Sequence, residues 1–294
     1  GGFFTTSVEA FIPANGRAVQ GATSHCLGQN FSKMFDIQFE TNTQNKEKAF
    51  VWQNSWGMTT RTIGVMVMVH GDDKGLSFPP RVAPTQIIVV PVYKKDSDVK
   101  AIKERATEIA KLLQEDESEA LRVEIDDTEF RTPGWKYSYY ETRGVPLRIE
   151  FGPNDLTNNT TTLVKRYNGE KLTWPAADVT PKKISELLQR IQSEMLAKAT
   201  KERDERVKEA LDWNEFMSQL NQRNLLLAPW CDVPSCEEEI KRRSKKDSSE
   251  QSAELTSAAK SLCIPKDQKP LAHDQKCVNC GAPAKVWCLF GRSY

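Results

Sequence analysis

The stretch Gln86–Val92, QIIVVPV, and the segment Asp96–Leu113 that follows it determine the predicted fold class. The first stretch is almost entirely apolar and β-branched, which is typical of a buried strand. Leu121–Ile125 and Leu147–Phe151 predict two further strands. Asp96–Leu113, which follows the strand Gln86–Val92, is predicted to be an amphipathic helix, because its apolar residues recur three or four positions apart: Val99, Ile102, Ala106, Ile109 and Leu113. A strand–helix–strand order indicates an α/β layer with some parallel pairing.

Length and composition indicate a soluble chain of more than one domain. The chain has 294 residues, of which 38% are hydrophobic and 28% charged. Basic and acidic residues number 41 and 40, and the net charge of +1 gives no global signal for nucleic acid. Any nucleic-acid site must therefore be a local patch. No apolar run approaches the roughly 20 residues of a membrane span, and the first residues do not resemble a signal peptide. We therefore expect a cytoplasmic protein without a membrane contact.

The flanking segments differ from this α/β region in composition. Residues 1–82 are rich in Gly, Thr, Ser and aromatic residues, and their run Thr62–Val69, TIGVMVMV, fits either a buried strand or a buried helix. Lys182–Leu196 is predicted to be a helix that begins at Pro181 and continues through the charged stretch KATKERDERVKEA. Residues 237–260 are charged and rich in Ser and Ala, which predicts a short helix followed by a loop.

Seven cysteines argue against a disulfide framework, because the count is odd in a chain of this size. Four of them form two close pairs, Cys231-x4-Cys236 and Cys277-x2-Cys280. Four thiolates in two chelating pairs suit a closed, structural, tetrahedral Zn²⁺ site. The spacing leaves open the alternative of reduced thiols without a metal. Two other cysteines lie in apolar contexts and are predicted to be core residues: Cys263 and Cys288.

Three segments resemble one known family closely. They are Gln20–Phe39, QGATSHCLGQNFSKMFDIQF; Asn54–Pro80, NSWGMTTRTIGVMVMVHGDDKGLSFPP; and the C-terminal LFGRSY. Together they resemble eukaryotic and archaeal-type prolyl-tRNA synthetases, which belong to class II, and the similarity extends over nearly the whole chain. The resemblance favours a helix for the TIGVMVMV run. It also implies that the LFGRSY end folds back toward the catalytic domain.

The implied architecture combines α+β and α/β domains. Its four parts are the C-terminal part of a class II catalytic domain with motif 3 in 1–82, an α/β anticodon-binding domain in 83–181, connecting helices in 182–225, and a small four-cysteine zinc-binding α/β domain in 226–294. Motifs 1 and 2 of the class are expected ahead of this chain, so we expect no activity from the chain alone. The resemblance also implies a homodimer.

The implied reaction is activation of L-proline with ATP, followed by transfer of the prolyl group to tRNA(Pro). Phosphoryl chemistry of this kind needs positioning and charge neutralisation more than a protein nucleophile. Arg61 matches the motif 3 arginine and is the predicted catalytic residue; taken alone, it would be read as a surface ion pair. The predicted ATP contacts are Gln20, Gly21, Ala22, Thr23, Thr59 and Arg61, with the Gln20 amide oxygen also a ligand of ATP-bound Mg²⁺.

The proline pocket is predicted from the same resemblance to include His25 and Gly57. Without the family context, the QGAT run would be a tight turn of a strand, and His25 a hydrogen-bonded structural histidine. Cys26 has no sequence-local base that would activate it, so no catalytic role is expected for its thiol.

Residues 133–155, PGWKYSYYETRGVPLRIEFGPND, resemble the core of the anticodon-binding domain. Glu141, Arg148 and Asp155 match the positions that hold two guanines of the proline anticodon, whose unpaired edges carboxylates and arginine can read. Asn154 stands where the family often has a basic residue. Five basic residues are either phosphate contacts or ordinary exposed charges: Lys136, Arg143, Lys165, Arg166 and Lys171.

Two other functional hypotheses are open. One is a synthetase-like paralogue that binds tRNA or a partner without activating an amino acid. The other is a histidyl, threonyl or glycyl synthetase that shares the anticodon domain. The QGATSHCLGQNF segment and the four-cysteine C-terminus argue against the latter.

Overall fold

The computed structural model describes most of the chain, as residues 2–42, 45–94, 98–245 and 258–294. It divides into two compact units. The split unit combines Gly1–Val65 with Glu202–Tyr294, and the central unit is Met66–Lys201. Most of the loop predicted within residues 237–260 lies outside the described residues.

The elements of the first half, in chain order, are β1 (Phe4–Ile12), β2 (Arg17–Gly28), α1 (Asn30–Met34), β3 (Gln38–Glu40), β4 (Lys48–Phe50), β5 (Gln53–Met58), α2 (Arg61–His70), β6 (Leu76–Ser77), β7 (Ile87–Pro91), α3 (Val99–Gln114), β8 (Val123–Ile125), α4 (Pro133–Thr142), β9 (Arg143–Gly144) and β10 (Leu147–Phe151). Those of the second half are α5 (Pro153–Asn158), β11 (Thr160–Lys165), β12 (Lys171–Pro175), a 3₁₀ turn (Ala176–Asp178), α6 (Pro181–Asp204), β13 (Val207–Glu209), α7 (Trp213–Asn221), β14 (Leu225–Trp230), α8 (Pro234–Ser244), β15 (Ala259–Cys263) and β16 (Val286–Ser293).

The central unit is an α/β layer, as the sequence predicts. Its five-stranded sheet has the order β12-β11-β10-β7-β8. The β7 strand pairs in parallel with β8 and β10, while β10, β11 and β12 pair antiparallel. Alternate residues of β7 face opposite sides: Ile87 and Val89 pack in the cluster that includes α3 and α6, and Ile88 and Val90 pack in a cluster with Tyr137 and Tyr140 of α4. Helices on both faces explain why every residue of β7 is buried.

Two predicted helices are confirmed, with one change of boundary. Asp98 caps α3 by accepting a hydrogen bond from the backbone N–H of Ala101. Helix α6 begins at Pro181 but ends at Asp204, so the prediction that it runs through the whole charged stretch is wrong. The reason is tertiary: Val207–Glu209 pairs in parallel with β14 and becomes a strand.

The split unit is organised around a seven-stranded sheet. Strands β1, β2 and β5 pair antiparallel, and β16 pairs in parallel with β2 through Arg292 opposite Arg17. The C-terminal LFGRSY residues therefore return to the N-terminal segment. Arg292 is buried and donates hydrogen bonds to the Leu220 carbonyl and the Asn221 side chain. The TIGVMVMV run is helical in α2, which confirms the helix over the strand. Among the described residues, no helix has the length and apolar character needed to cross a bilayer.

A buried ion pair connects α4 to the segment after β8 in the central unit. Lys136 is 1% exposed, and its Nζ donates a 2.7 Å hydrogen bond to the Asp126 carbonyl and lies 3.2 Å from Asp126 Oδ1. Tyr140 donates a hydrogen bond to Asp126 Oδ2 at 3.2 Å. Burial opposes ionisation of Asp126, but hydrogen bonds from Thr128 and Lys136 outweigh it and lower the pKa of this carboxyl.

We expect Lys136→Met to lower the free energy of unfolding of the central unit by about 3 kcal/mol, because it leaves a buried carboxylate without its cation. Urea denaturation with hydrogen exchange at β7 and β10 measures this change. Lys100→Met on α3 is the matched control, since Lys100 is exposed and pairs with Glu104 only at 3.9 Å; its expected effect is within about 0.5 kcal/mol. Equal effects of the two substitutions would show that the buried pair does not stabilise the fold.

Candidate functional site

Four cysteine sulfurs of the split unit converge in space. The Sγ atoms of Cys231, Cys236, Cys277 and Cys280 all lie within 4.8 Å of one another. The Cys236–Cys277 and Cys231–Cys280 pairs are each separated by 3.7 Å. A tetrahedral site with metal–sulfur bonds of about 2.3 Å has sulfur–sulfur edges of about 3.8 Å. The thiols are therefore already spaced as the ligands of one tetrahedral metal ion.

Local structure brings the two cysteine pairs together. Cys231 directly follows β14, and Cys236 lies in the first turn of α8. The second pair lies in a tight turn, in which the Cys277 N–H donates to the Ala282 carbonyl and the Gly281 N–H donates to the Cys277 carbonyl. Gly281 has φ +73°, a conformation that glycine adopts without strain. Three of the thiols are buried, and that of Cys280 is exposed.

The thiols of the cluster differ in acidity. Burial raises the pKa of both Cys231 and Cys236. At Cys277 burial acts in the same direction, but backbone N–H donors of Cys280 and Asn279 outweigh it and lower the pKa. A turn that directs N–H groups at sulfur stabilises the thiolate, which is the form that binds metal. Outside the cluster, Cys288 is buried in the core as predicted, and Cys263 is half-buried.

Two of the predicted catalytic-segment residues line one cavity in the split unit. Gln20 on β2 and Arg61 at the start of α2 both border a cavity of about 230 Å³. Glu9 and the C-terminal Tyr294 line it as well. The Thr62 hydroxyl donates a 3.2 Å hydrogen bond to the Gly21 carbonyl, which ties α2 to β2. Residues 41 positions apart in sequence, Gln20 and Arg61, are thus neighbours in the fold.

A second cavity of about 500 Å³ lies on the neighbouring part of the same sheet. Ala22, Thr23 and Gly57 line it, and Gly57 pairs with Thr23 across β2 and β5. His25 and Thr59 border neither cavity. The His25 Nδ1 atom is 2.7 Å from the Thr5 hydroxyl, so this histidine has a hydrogen-bond partner on β1. Of the predicted ATP and proline residues, five thus line one or the other of these two cavities, whereas Gly21, His25 and Thr59 line neither.

The predicted anticodon residues lie in the central unit, where Glu141 and Arg148 are in direct contact. Arg148 Nη1 is 3.1 Å from Glu141 Oε1, and Nε donates a 2.9 Å hydrogen bond to Glu150 Oε1. The guanidinium also lies 4.1 Å from the centre of the Tyr137 ring. Arg148 is buried by these partners, while the Glu141 side chain is 27% exposed. Glu150 and Tyr137 are members of this group that the sequence analysis missed; alternation along β10 places Glu150 on the same face as Arg148.

The Asp155 carboxylate accepts hydrogen bonds at the start of α5 and from the neighbouring strand β11. Its Oδ2 accepts a 3.0 Å hydrogen bond from the Gly152 N–H at the start of α5. Its Oδ1 accepts hydrogen bonds from the hydroxyls of Thr160 and Thr162 at 3.3 Å each. The carboxylate therefore stabilises the first turn of the helix. Asn154 beside it is exposed.

Three of the five basic residues considered as phosphate contacts are buried, so neither a phosphate contact nor an exposed charge describes them. Lys136 pairs with Asp126, as described above. Lys165 Nζ lies 2.9 Å from Glu170 and 3.0 Å from Glu194. Arg166 makes a bidentate pair with Asp72 at 2.6 and 2.7 Å. These side chains are occupied within the fold, whereas Arg143 and Lys171 are exposed.

Within the central unit, the Asp72–Arg166 ion pair holds the GDDKG turn, residues 71–75, in place. Arg166 also donates a 2.8 Å hydrogen bond to the Glu141 carbonyl, so one guanidinium connects this turn with the end of α4. The hydrogen bonds from Arg166 hold the pKa of Asp72 at about 2. The carboxylate is consequently ionised at every physiological pH.

Comparisons with known proteins agree with this architecture. Residues 86–193 match a family model described as anticodon binding domain, and residues 213–294 match one described as prolyl-tRNA synthetase, C-terminal. The chain is 49% identical over its whole length to an Arabidopsis thaliana protein named cytoplasmic proline--tRNA ligase, covering 53% of that relative. It is 46% identical to a putative proline--tRNA ligase of Schizosaccharomyces pombe, covering 43% of it, and 42% identical to a proline--tRNA ligase of Encephalitozoon cuniculi, covering 58%.

The chain therefore spans about half the length of these relatives. Its two family matches fall on the central unit and on the cysteine-bearing part of the split unit, and together they account for most of the described fold. The chain belongs to the prolyl-tRNA synthetase family, and it contains that family's anticodon-binding and C-terminal domains.

Proposed function

We propose that the chain is part of a proline--tRNA ligase, which activates L-proline with ATP and transfers it to tRNA(Pro) in the cytoplasm. The observation that carries the proposal is the shared cavity of Gln20 and Arg61, because both residues belong to the segments that resemble the family's ATP site. In this proposal residues 1–82 are the C-terminal part of a class II catalytic domain that works as a homodimer. The proposed anticodon-binding domain is 83–181, the connecting helices are 182–225, and the proposed zinc-binding domain is 226–294.

The proposed chemistry assigns a positioning role to each catalytic-segment residue. A planar guanidinium makes two parallel hydrogen bonds to phosphate, so Arg61 would neutralise charge that develops on the α-phosphate during attack by the proline carboxylate. Gln20 would direct its amide oxygen toward ATP-bound Mg²⁺, which supplies charge neutralisation when it is bound. Gly21, Ala22, Thr23 and Thr59 would shape the nucleotide site, and His25 and Gly57 the proline pocket.

The anticodon assignment is supported by the cluster around Arg148. Glu141 offers a partly exposed carboxylate that can accept from the N–H groups of a guanine edge. Arg148 would act mainly by orienting Glu141, because its own guanidinium is largely covered by Glu150 and Tyr137. Asp155 would contribute through its place at the start of α5, beside the exposed Asn154.

For the four-cysteine cluster we propose a structural zinc ion. Four sulfur donors suit Zn²⁺, and four protein ligands leave no position for a substrate. Asn279 supports the site from outside, since its side-chain N–H donates to Cys236 Sγ at 3.3 Å. Donors to ligating sulfur are a common feature around metal ligands.

Proline-dependent ATP–pyrophosphate exchange tests the proposed function. We expect exchange from the full-length protein that contains this chain, with proline preferred over other amino acids, and no exchange from the 294-residue chain alone. Reactions without amino acid are the control. A full-length protein that binds tRNA(Pro) yet exchanges no pyrophosphate would instead support the non-catalytic paralogue.

A further inference from the structure

Four side chains on and beside α4 form a stacked column on the surface of the central unit. The Arg131 guanidinium lies 4.3 Å from the centre of a Trp135 ring, and Trp135 stacks on Tyr139 with centroids 4.9 Å apart and planes at 17°. The Arg143 guanidinium lies 4.1 Å from the centre of the Tyr139 ring at the other end. Trp135 and Tyr139 lie on one stripe of α4, and Arg131 and Arg143 continue the spacing of four residues just outside its two ends. Trp135 is 41% exposed, so the column is not part of the core.

The fold holds this column in place. Tyr140 packs edge-on against Tyr139 with centroids 5.0 Å apart, and its hydroxyl is hydrogen-bonded to the buried Asp126. Among the residues that the structure describes, no carboxylate makes an ion pair with Arg131 or Arg143. The column therefore carries uncompensated positive charge on a rigid aromatic support.

Arg143 is also part of the wall of a cavity of about 730 Å³. The other walls include the apolar side chains of Val67, Met68 and Leu76 and the exposed Asp73. Gly75 permits this arrangement: it has φ +126°, and a Cβ on it would lie 2.7 Å from the Thr142 backbone. The GDDKG turn thus lies directly against the end of α4, and a substitution of Gly75 would push it away.

The chemistry of this cavity suits an unpaired nucleobase. Its volume lies in the range of about 300 to 1,000 Å³ that small-ligand pockets occupy. Guanidinium planes and aromatic rings are the groups on which proteins stack unpaired bases. The carboxylate of Asp73 can accept from the N–H groups of a base edge, and the apolar side chains can pack against the ring. Arg143 follows Glu141 of the proposed anticodon group by two residues in sequence.

We propose that this cavity binds one unpaired base of the tRNA(Pro) anticodon loop, other than the two guanines assigned to Glu141, Arg148 and Asp155. The base stacks on Arg143 and so extends the Arg131–Trp135–Tyr139–Arg143 column. The proposal rests on the proposed tRNA-binding function. It adds to that function a second binding pocket at the end of α4.

The test uses the full chain and tRNA(Pro) transcripts with 2-aminopurine at one unpaired loop position at a time. Stacking quenches 2-aminopurine, so we expect quenching on binding at one position in particular. Arg143→Ala should abolish that quenching and weaken binding about tenfold, as expected for loss of one stacked base. Arg143→Lys should do the same, because lysine keeps the charge and lacks the plane. Tyr139→Ala should reduce the quenching by removing the support of Arg143.

Arg105→Ala on α3 is the matched control, since Arg105 is an exposed arginine of the same unit that pairs with Glu108. It should leave quenching and affinity unchanged. If Arg143→Lys keeps the quenching and the affinity of the unaltered chain, Arg143 is a phosphate contact and the pocket is overturned. The pocket is also overturned if no loop position changes its quenching when Arg143 is substituted. If the unaltered chain does not prefer tRNA(Pro) over a tRNA with another anticodon, the proposed function fails together with the pocket. Normal preference with unaffected Arg143 variants overturns the pocket alone.

Discussion

Cys277→Ser is expected to release one equivalent of zinc per chain and to unfold the cysteine-bearing part of the split unit. The substitution removes one of four sulfurs that are spaced for a single tetrahedral ion. Structural zinc contributes on the order of 10 kcal/mol to the folding of small domains, which is comparable to the whole stability of a typical domain. Metal analysis by mass spectrometry and hydrogen exchange of β14 and β16 measure the two effects.

Cys26→Ser is the matched control, because Cys26 is a partly exposed thiol on β2, away from the cluster. It should retain the zinc and the protection of β14 and β16. Chelation of the unaltered chain should reproduce the Cys277→Ser result. If the purified chain contains no zinc and β14 and β16 are still fully protected from hydrogen exchange, the four thiols are a reduced cluster without a metal. That is the alternative that the spacing leaves open.

Arg61→Ala is expected to lower the rate of proline-dependent pyrophosphate exchange by the full-length protein about 100-fold or more. Removal of one hydrogen-bond donor from an oxygen that gains negative charge in the transition state typically lowers the rate constant by this factor. Because the charge develops in the transition state, we expect kcat to fall more than the KM for ATP rises. Arg61 is exposed at the start of α2, so its removal should leave the thermal unfolding temperature unchanged.

Arg242→Ala on α8 is the control for a general effect of losing an arginine. Arg242 is exposed and pairs with Glu239 on its own helix. Exchange at the unaltered rate by Arg61→Ala would remove this residue from the proposed chemistry. It would leave the family assignment intact, since that rests on the whole chain.

The helices and strands that can be predicted from the sequence are those that depend on patterns among neighbouring residues. The strand Leu147–Phe151 and the helix that begins at Pro181 follow from runs and periods of neighbouring apolar residues. The spacing of the two cysteine pairs predicts that they converge, because four sulfur ligands of one metal ion must lie together. The choice of helix over strand for α2 depended on family resemblance, since a continuous apolar run fits both structures.

Burial of polar side chains was not accessible in this way. Lys136, Lys165 and Arg166 have the sequence appearance of exposed charges, yet each is buried against a carboxylate distant in sequence. The same limitation explains why Tyr137 was missed beside Arg148, whereas the alternation of side chains along β10 could have indicated Glu150. A carboxylate partner is specified only when strands and helices have been brought together.

Local patterns in the chain thus indicate an α/β layer and a set of cysteines suited to one metal ion, and resemblance to known sequences indicates the anticodon-binding domain and the family. Tertiary structure alone decides that Gln20 and Arg61 share a cavity, that the C-terminal strand pairs with β2, and that Arg143 ends an aromatic column at the edge of a pocket. The physical reason is the separation in sequence over which each kind of interaction acts. Periodicity and turn chemistry act between neighbours in sequence, whereas sites are built from side chains that only the packed sheet and its helices bring into contact.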